Sequence, residues 1–366
     1  EGVRLAGGCC GTTPEYIRSL VQQAGHPDPL PIVPKDVTMV SSYTHAVMFG
    51  SEPILIGERI NPTGKKRFKQ ALRENDIDYI LEEGIRQQEQ GVHILDVNVG
   101  LPEIDEPAVL EQVTGELQAV LDLPLQIDTT STEAMERALR RYNGKAMINS
   151  VNGKAESMQA VFPLVRKYGG LVVALTLDED GIPATAEGRV AVAEKILREA
   201  RKYGIPKKDL IFDPLAMAVS ADAGAALVTL EAVSRIRKEL GCLTTLGVSN
   251  VSFGLPARDA VTAAFFAAAL EQGLSAAIMN PHAAEMQKTI HAYRALHGLD
   301  ENCAEYIAFA ARMPVETAVT SAKAASAPGD GVPGAQAERS RLQTAIMKGL
   351  KEQAQEAADI LLATRE

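Results

Sequence analysis

A chain of 366 residues with a net charge of −10 and 4% aromatic side chains is too acidic and too poor in stacking groups for a nucleic-acid surface. Its four cysteines are too few for a disulfide framework and fit a reducing cytoplasm. No run of about 18 or more uncharged apolar residues is present, so no membrane span is expected, and the first residues lack the basic and apolar regions of a secretory signal.

Residues 1–30 carry the stretch "GGCCGTTPEYI", Gly7 to Ile17. They hold an adjacent cysteine pair and a short helix, and turn-rich sequence carries on to Lys35. This is too short a segment to own a core. Residues 31–52 are expected to form an interdomain linker.

From Pro53 onward, short β-branched segments alternate with longer amphipathic ones. "PILIGERI", "VHILDVNVG", "LPLQIDTT", "KAMINSVNG", "GLVVALTLD", "DLIFDPL", "LTTLGVSN" and "SAAIMNP" read as eight strands. Segments such as "EAMERALRRY" and "EGRVAVAEKILREARKYG" carry the three-and-four spacing of core-facing helices. Strands that are apolar on both faces require a parallel sheet covered by helices. Eight such units across 53–315 predict a closed (β/α)8 barrel of the α/β class.

Beyond the barrel, the Ala-, Pro- and Gly-rich residues 316–340 read as a flexible linker. Residues 341–366 form one amphipathic helix, with Leu342, Ile346, Leu350, Ala354, Ala357 and Leu361 on its apolar face. A lone helix of this kind wants a partner.

Chemistry in such a barrel sits where the strands finish. The strand ends carry Glu58, Arg59 and Asn61, then Asp96 and Asn98, Asp128, Asn149 and Asn152, Asp213, Ser249 and Asn250, and Asn280. No histidine or cysteine stands among them, which removes Ser–His–Asp and Cys–His catalysis. The six histidines lack metal-ligand spacing, and neither a P-loop nor a GxGxxG fingerprint is present.

A paired-carboxylate hydrolase remains possible if Asp96, Asp128 and Asp213 meet in one mouth. The accompanying amides suit a different task, holding a flat nitrogen-rich heterocycle by its edge. A carboxylate accepts two parallel N–H bonds, and an asparagine both donates and accepts. Any single one of these residues could instead be the N-cap of the next helix, Asp128 above all. Asn149, Asp213 and Asn250 stand several residues before a helix, which argues against capping for the set.

"ILIGERINPTGKKRFKQAL", "LDVNVGLPEIDE", "QIDTTSTEAMERAL", "AMINSVNG", "FDPLAMAVS" and "GVSNVSFGLP" together closely resemble the pterin-binding barrel of cobalamin-dependent methionine synthases. The related methyltetrahydrofolate:corrinoid protein methyltransferases look similar. The resemblance implies binding of 5-methyltetrahydrofolate and transfer of its methyl group to cob(I)alamin, carried by another module in cis or in trans.

By the same resemblance, Asn250 hydrogen-bonds the methyl-bearing nitrogen, and Asp128, Asn149 and Asp213 hold the pterin edge. Glu58 and Asn61 line the mouth, and Arg258 approaches the aminobenzoate. Dihydropteroate synthase shares this barrel, but its first-loop signature and basic C-terminal motif are not found. A passive folate-binding module is the non-enzymatic alternative.

The ends fit the same resemblance. Residues 1–30 are similar to the close of a homocysteine-binding barrel, in which Cys9 and Cys10 would be two of three zinc-ligating thiolates. The third has no candidate here, so weak zinc binding or none is expected. Residues 341–366 resemble the first helix of a cap over the cobalamin.

Overall fold

A computed structural model describes residues 5–25, 31, 33, 35–313, 342, 355, 357–360 and 362. Residues 1–312 form one compact unit and 313–366 another. In the second, the described residues from Leu342 onward are helical. The expected linker falls outside the described residues, as does most of the final helix.

The first unit begins with α1 (Pro14–Ala24) and a small antiparallel hairpin, β1 (Met39–Ser41) and β2 (Ala46–Met48). Eight parallel strands then close into a barrel: β3 (Ile54–Ile60), β4 (Ile94–Val97), β5 (Leu125–Asp128), β6 (Met147–Asn152), β7 (Leu171–Leu175), β8 (Leu210–Asp213), β9 (Leu243–Gly247) and β10 (Ala276–Met279). All eight strands expected from the sequence form, and β10 pairs with β3 to complete the ring.

The connecting helices are α2 (Lys66–Glu74), α3 (Ile77–Glu89), α4 (Glu106–Val120), α5 (Thr132–Arg141), α6 (Ala155–Tyr168), α7 (Ala186–Lys202), α8 (Ala225–Arg235), α9 (Arg258–Glu271) and α10 (Ala284–Leu296), followed by α11 (Ala304–Arg312). The first crossover holds two helices because Asn75 turns left-handed and Asp76 caps α3 by accepting from the Tyr79 N–H.

The two faces of each strand divide as a barrel requires. Leu95, Ile127, Ile148, Val172 and Phe212 pack outward against the helices. Their neighbours Ile54, Ile56, Ile94, Met147, Leu171, Val173, Ile211 and Ala276 form the inner core. Val40, Val47 and Phe49 join that inner cluster, so the hairpin within residues 31–52 plugs the end of the barrel where the strands begin.

The plug is pinned to the segment just ahead of β6 by paired bonds, Ser41 N–H to Lys145 O at 2.9 Å and Lys145 N–H to Ser41 O at 3.0 Å. Gly144 permits the approach: its φ is +139°, and a Cβ there would collide with the Ser41 carbonyl.

Candidate functional site at the barrel mouth

Inside the barrel the side chains change character along the strands. The apolar residues at the plugged end give way, two positions on, to Glu58, Asp96, Gln126, Asn149 and Asp213, with Asn98 and Asp128 at the rim. Strand register sets Asp96 beside Gln126 and Asp128 beside Asn149. Gln126 Nε2 donates to Asp96 Oδ1 at 2.6 Å, and Asn98 Nδ2 donates to Asp128 Oδ2 at 2.9 Å. The Asn149 side chain also works against the upward shift of Asp96. Asp96, Asn98, Asp128 and Asn149, all named from the sequence, thus gather at the ends of three adjacent strands, with two separate bonded pairs, Asp96 with Gln126 and Asp128 with Asn98.

None of the key acids is a helix cap. Ser131 caps α5 by accepting from the Ala134 N–H, which frees Asp128. Asp213 lies well ahead of α8, whose N-cap is Gly224. The side-chain oxygens of Asn61, Asn152 and Asn280 each accept a backbone N–H two residues on, as those of Asn98 and Asp213 also do, in the manner of an Asx turn.

At Glu58 the pairing of β3 with β4 shifts register, a bulge of the kind that re-aims a side chain at a barrel rim. The freed backbone groups are satisfied from two sides. Gln87 Oε1, wholly buried on α3, accepts from the Arg59 N–H at 2.9 Å. Lys65 Nζ donates to the carbonyls of Glu58 at 2.7 Å and Arg59 at 3.3 Å. Gly57 leaves the space that Gln87 occupies, since a Cβ there would meet its Oε1.

Burial dominates the electrostatics. It pushes Asp213 up to about 7 against bonds from the Leu215 and Gly247 N–H groups and the charge of Arg189. Burial likewise pushes Asp128 up to about 6, against the bond from Asn98. Asp96 stands well above the usual carboxylate range, from burial and then from the Asp128 charge. Glu58 is also raised by burial, with Lys65 opposing. Burial and the Arg59 charge lower Lys65 to about 8. Such a set of under-stabilised acids suits a ligand that brings hydrogen-bond donors.

Asn250 lies in a 3-10 turn, Val248–Ser252, directly after β9, and is exposed. No hydrogen bond from its side-chain amide occurs among the described residues. Arg258, at the start of α9, is exposed but engaged: Nη2 donates to Ser249 O at 2.8 Å, Nε to Ser252 Oγ at 3.1 Å, and the guanidinium lies over the Phe253 ring.

Cys9 and Cys10 precede α1, exposed, with their sulfurs 3.8 Å apart. Among the described residues no three His, Cys, Asp or Glu side chains gather as a metal cage. Two sulfurs fall short of the three or four protein ligands zinc takes, so the described residues do not fit that ion.

Sequence reading passed over Lys65, Gln87 and Arg189. Gln87 and Arg189 were detectable as polar residues on the apolar stripes of α3 and α7, where Ile80 and Gly84, or Ala186 and Val190, mark the buried face.

Residues 57–280 match the model of the pterin binding enzyme family. The methionine synthase of Mycobacterium leprae (strain TN) is 32% identical over 299 residues, which covers 76% of this chain and 25% of that protein. The chain therefore spans about a quarter of the length of the methionine synthases it matches. The methylcorrinoid:tetrahydrofolate methyltransferase of Eubacterium limosum is 31% identical over 262 residues, 69% of this chain and 94% of that protein.

Among solved structures, dihydropteroate synthase of Xanthomonas albilineans with 4-aminobenzoic acid superposes with a TM-score of 0.57 at 20% identity, covering 71% of this chain and 98% of that one. The Yersinia pestis dihydropteroate synthase bound to a pterine–sulfa conjugate gives 0.56 at 16% identity, covering 71% and 99%. These likenesses establish the fold. With the family match running from the first barrel strand to the last, and with relatives of more than 30% identity that are methyltransferases, this chain belongs to the pterin-binding enzymes.

Proposed function

We propose that the barrel binds 5-methyltetrahydrofolate and passes its methyl group to cob(I)alamin, as a part-reaction of methionine synthesis. The observation that carries this reading is the set of buried and half-buried acids and amides around one mouth, Asp128, Asn149 and Asp213 foremost, with Asn250 exposed on the loop after β9. The 2-amino-4-oxopyrimidine edge of a pterin offers adjacent N–H donors, which two carboxylates accept. Each bond to a charged acceptor contributes about 1.5–3 kcal/mol.

The methyl group leaves a tertiary amine, a poor leaving group unless its nitrogen gains a proton or a strong hydrogen bond. Asn250 is assigned that hydrogen bond, because an amide serves as donor or acceptor according to which end it presents. Loss of one positioned hydrogen-bond donor of this kind typically costs about 10²–10³-fold. Carboxylates near the ring favour its protonated form electrostatically. Glu58 and Asn61 belong to the lip of the same mouth, and Arg258 is assigned to the aminobenzoate side.

The corrinoid, carried by a cobalamin-binding domain in cis or in trans, supplies the nucleophile. The Eubacterium limosum relative is named for transfer from a methylcorrinoid to tetrahydrofolate. A site that lowers the barrier in one direction lowers it in the other. No helix among the described residues is long and apolar enough to cross a membrane, and we assign the protein to the cytoplasm.

Mixing the protein with 5-methyltetrahydrofolate and free cob(I)alamin tests the proposal. Formation of methylcobalamin, followed by absorbance, supports the transferase. Folate binding without transfer supports a passive module instead, and synthesis of dihydropteroate from a pterin pyrophosphate and 4-aminobenzoate would favour that runner-up chemistry.

A further inference from the structure

Arg189 lies on α7 at 2% exposure, on the stripe formed by Ala186, Val190, Ala193 and Ile196. No carboxylate lies within ion-pair distance of it among the described residues. Its Nη1 donates to the carbonyls of Pro214 at 2.7 Å and Leu215 at 2.9 Å and to Thr229 Oγ1 at 3.0 Å; its Nε donates to Pro183 O at 3.2 Å. A buried cation satisfied by carbonyl and hydroxyl oxygens alone is costly to keep.

The residues it grips directly follow Asp213. Leu215 is left-handed, with φ +67°, a conformation that L-residues other than glycine rarely adopt. That turn sends the Leu215 carbonyl toward the guanidinium and brings the Leu215 N–H back to Asp213 Oδ1 at 2.7 Å. The guanidinium thus reaches the carboxylate through one residue of backbone.

We infer that Arg189 is a positioning residue for folate binding: it holds the 214–215 turn that orients the Asp213 carboxylate, and its charge keeps that carboxylate an acceptor for the pteridine N–H groups. The assignment rests on the proposal that Asp213 grips the ring. Arg189 is the charged side chain that bears on Asp213 and opposes the upward push of burial. Other charged groups of the flanking elements are paired elsewhere, Lys195 with Asp178 and Glu179, Arg198 with Glu194, and Arg235 with Glu231 and Glu239. Glu58, Asp96 and Asp128 stand on strands β3 to β5 of the same mouth.

The test is calorimetric titration of 5-methyltetrahydrofolate between pH 5.5 and 9 into the unaltered protein, Arg189→Gln and Arg189→Lys. The unaltered protein should bind with affinity that declines as the pH falls through about 7. Arg189→Gln should bind about tenfold or more weakly at pH 7, with its pH midpoint moved upward and the loss partly recovered at pH 9. Arg189→Lys keeps the charge but not the fork; it should keep the midpoint and lose affinity evenly across the range.

A folded Arg189→Gln with an unshifted midpoint overturns the electrostatic role. Should that variant fail to fold, Arg189→Lys decides: unaltered affinity overturns the assignment, and weaker binding at the original midpoint supports it. Absence of binding by the unaltered protein would overturn the folate proposal itself, and this assignment with it.

Discussion

The Ser249 hydroxyl lies 3.2 Å from Glu58 Oε2 and donates to it, joining the loop after β9 to the bulged end of β3. This bond ties together two ends of the mouth that lie 191 residues apart in sequence. It also fixes the residue next to Asn250, whose amide is left open. Arg258 reinforces the same loop from α9 through the Ser249 carbonyl.

Because that amide makes no bond within the described residues, Asn250→Ala should leave the fold and most of the folate affinity intact. Methyl transfer should fall by about 10²-fold or more, the scale of one lost positioned hydrogen bond. Single-turnover transfer rates measured alongside dissociation constants check this; equal losses in both would show that Asn250 only binds.

Asp128 is joined to Asn98 by a donated bond that an asparagine oxygen would still accept. Asp128→Asn therefore keeps the local geometry and removes the charge. Titration calorimetry should show 5-methyltetrahydrofolate binding weakened roughly tenfold or more, the scale of a charged hydrogen bond. An unchanged dissociation constant would remove Asp128 from the ring edge.

Asp213 links binding to stability with opposite signs. Its folded value near 7 lies above the unfolded value of about 4. Between those values the native state holds the extra proton, so this group's contribution to stability declines as the pH rises through that window. Asp213→Asn should accordingly raise the melting temperature of the unliganded protein at pH 8 and change it little near pH 4, while weakening folate binding at pH 8. Thermal melts of both proteins at the two pH values check the sign. A stabilisation that was larger at acid pH would contradict the burial argument.

Gly144 is required by the plug. Gly144→Ala combines a backbone angle that side chains resist with a collision against the Ser41 carbonyl. Denaturant unfolding should show a loss of about 2 kcal/mol or more. A neutral result would mean that the hairpin is not held at Lys145 as described.

The barrel was legible because its strands are apolar on both faces and its helices are periodic, as at Leu171–Leu175 and Ala186–Lys202. The acids and amides were legible because they interrupt those strands at their ends. The hairpin was hidden, since three-residue strands contributing Val40 and Val47 leave no periodic trace. Gln87 and Arg189 were visible as polar breaks in apolar stripes, but what they and Lys65 do was hidden for another reason. They satisfy backbone groups on other elements, so their role exists only once the bulge at Glu58 and the turn at Leu215 have formed.

A crystal of the protein soaked in 5-methyltetrahydrofolate tests the central claim most directly. Density for the pteridine should lie in the mouth, with its amino–oxo edge on Asp128, Asn149 and Asp213 and the methyl-bearing nitrogen next to Asn250, its methyl group facing out of the barrel. A mouth left empty at saturating folate, or a ligand seated with those side chains out of reach, would contradict it.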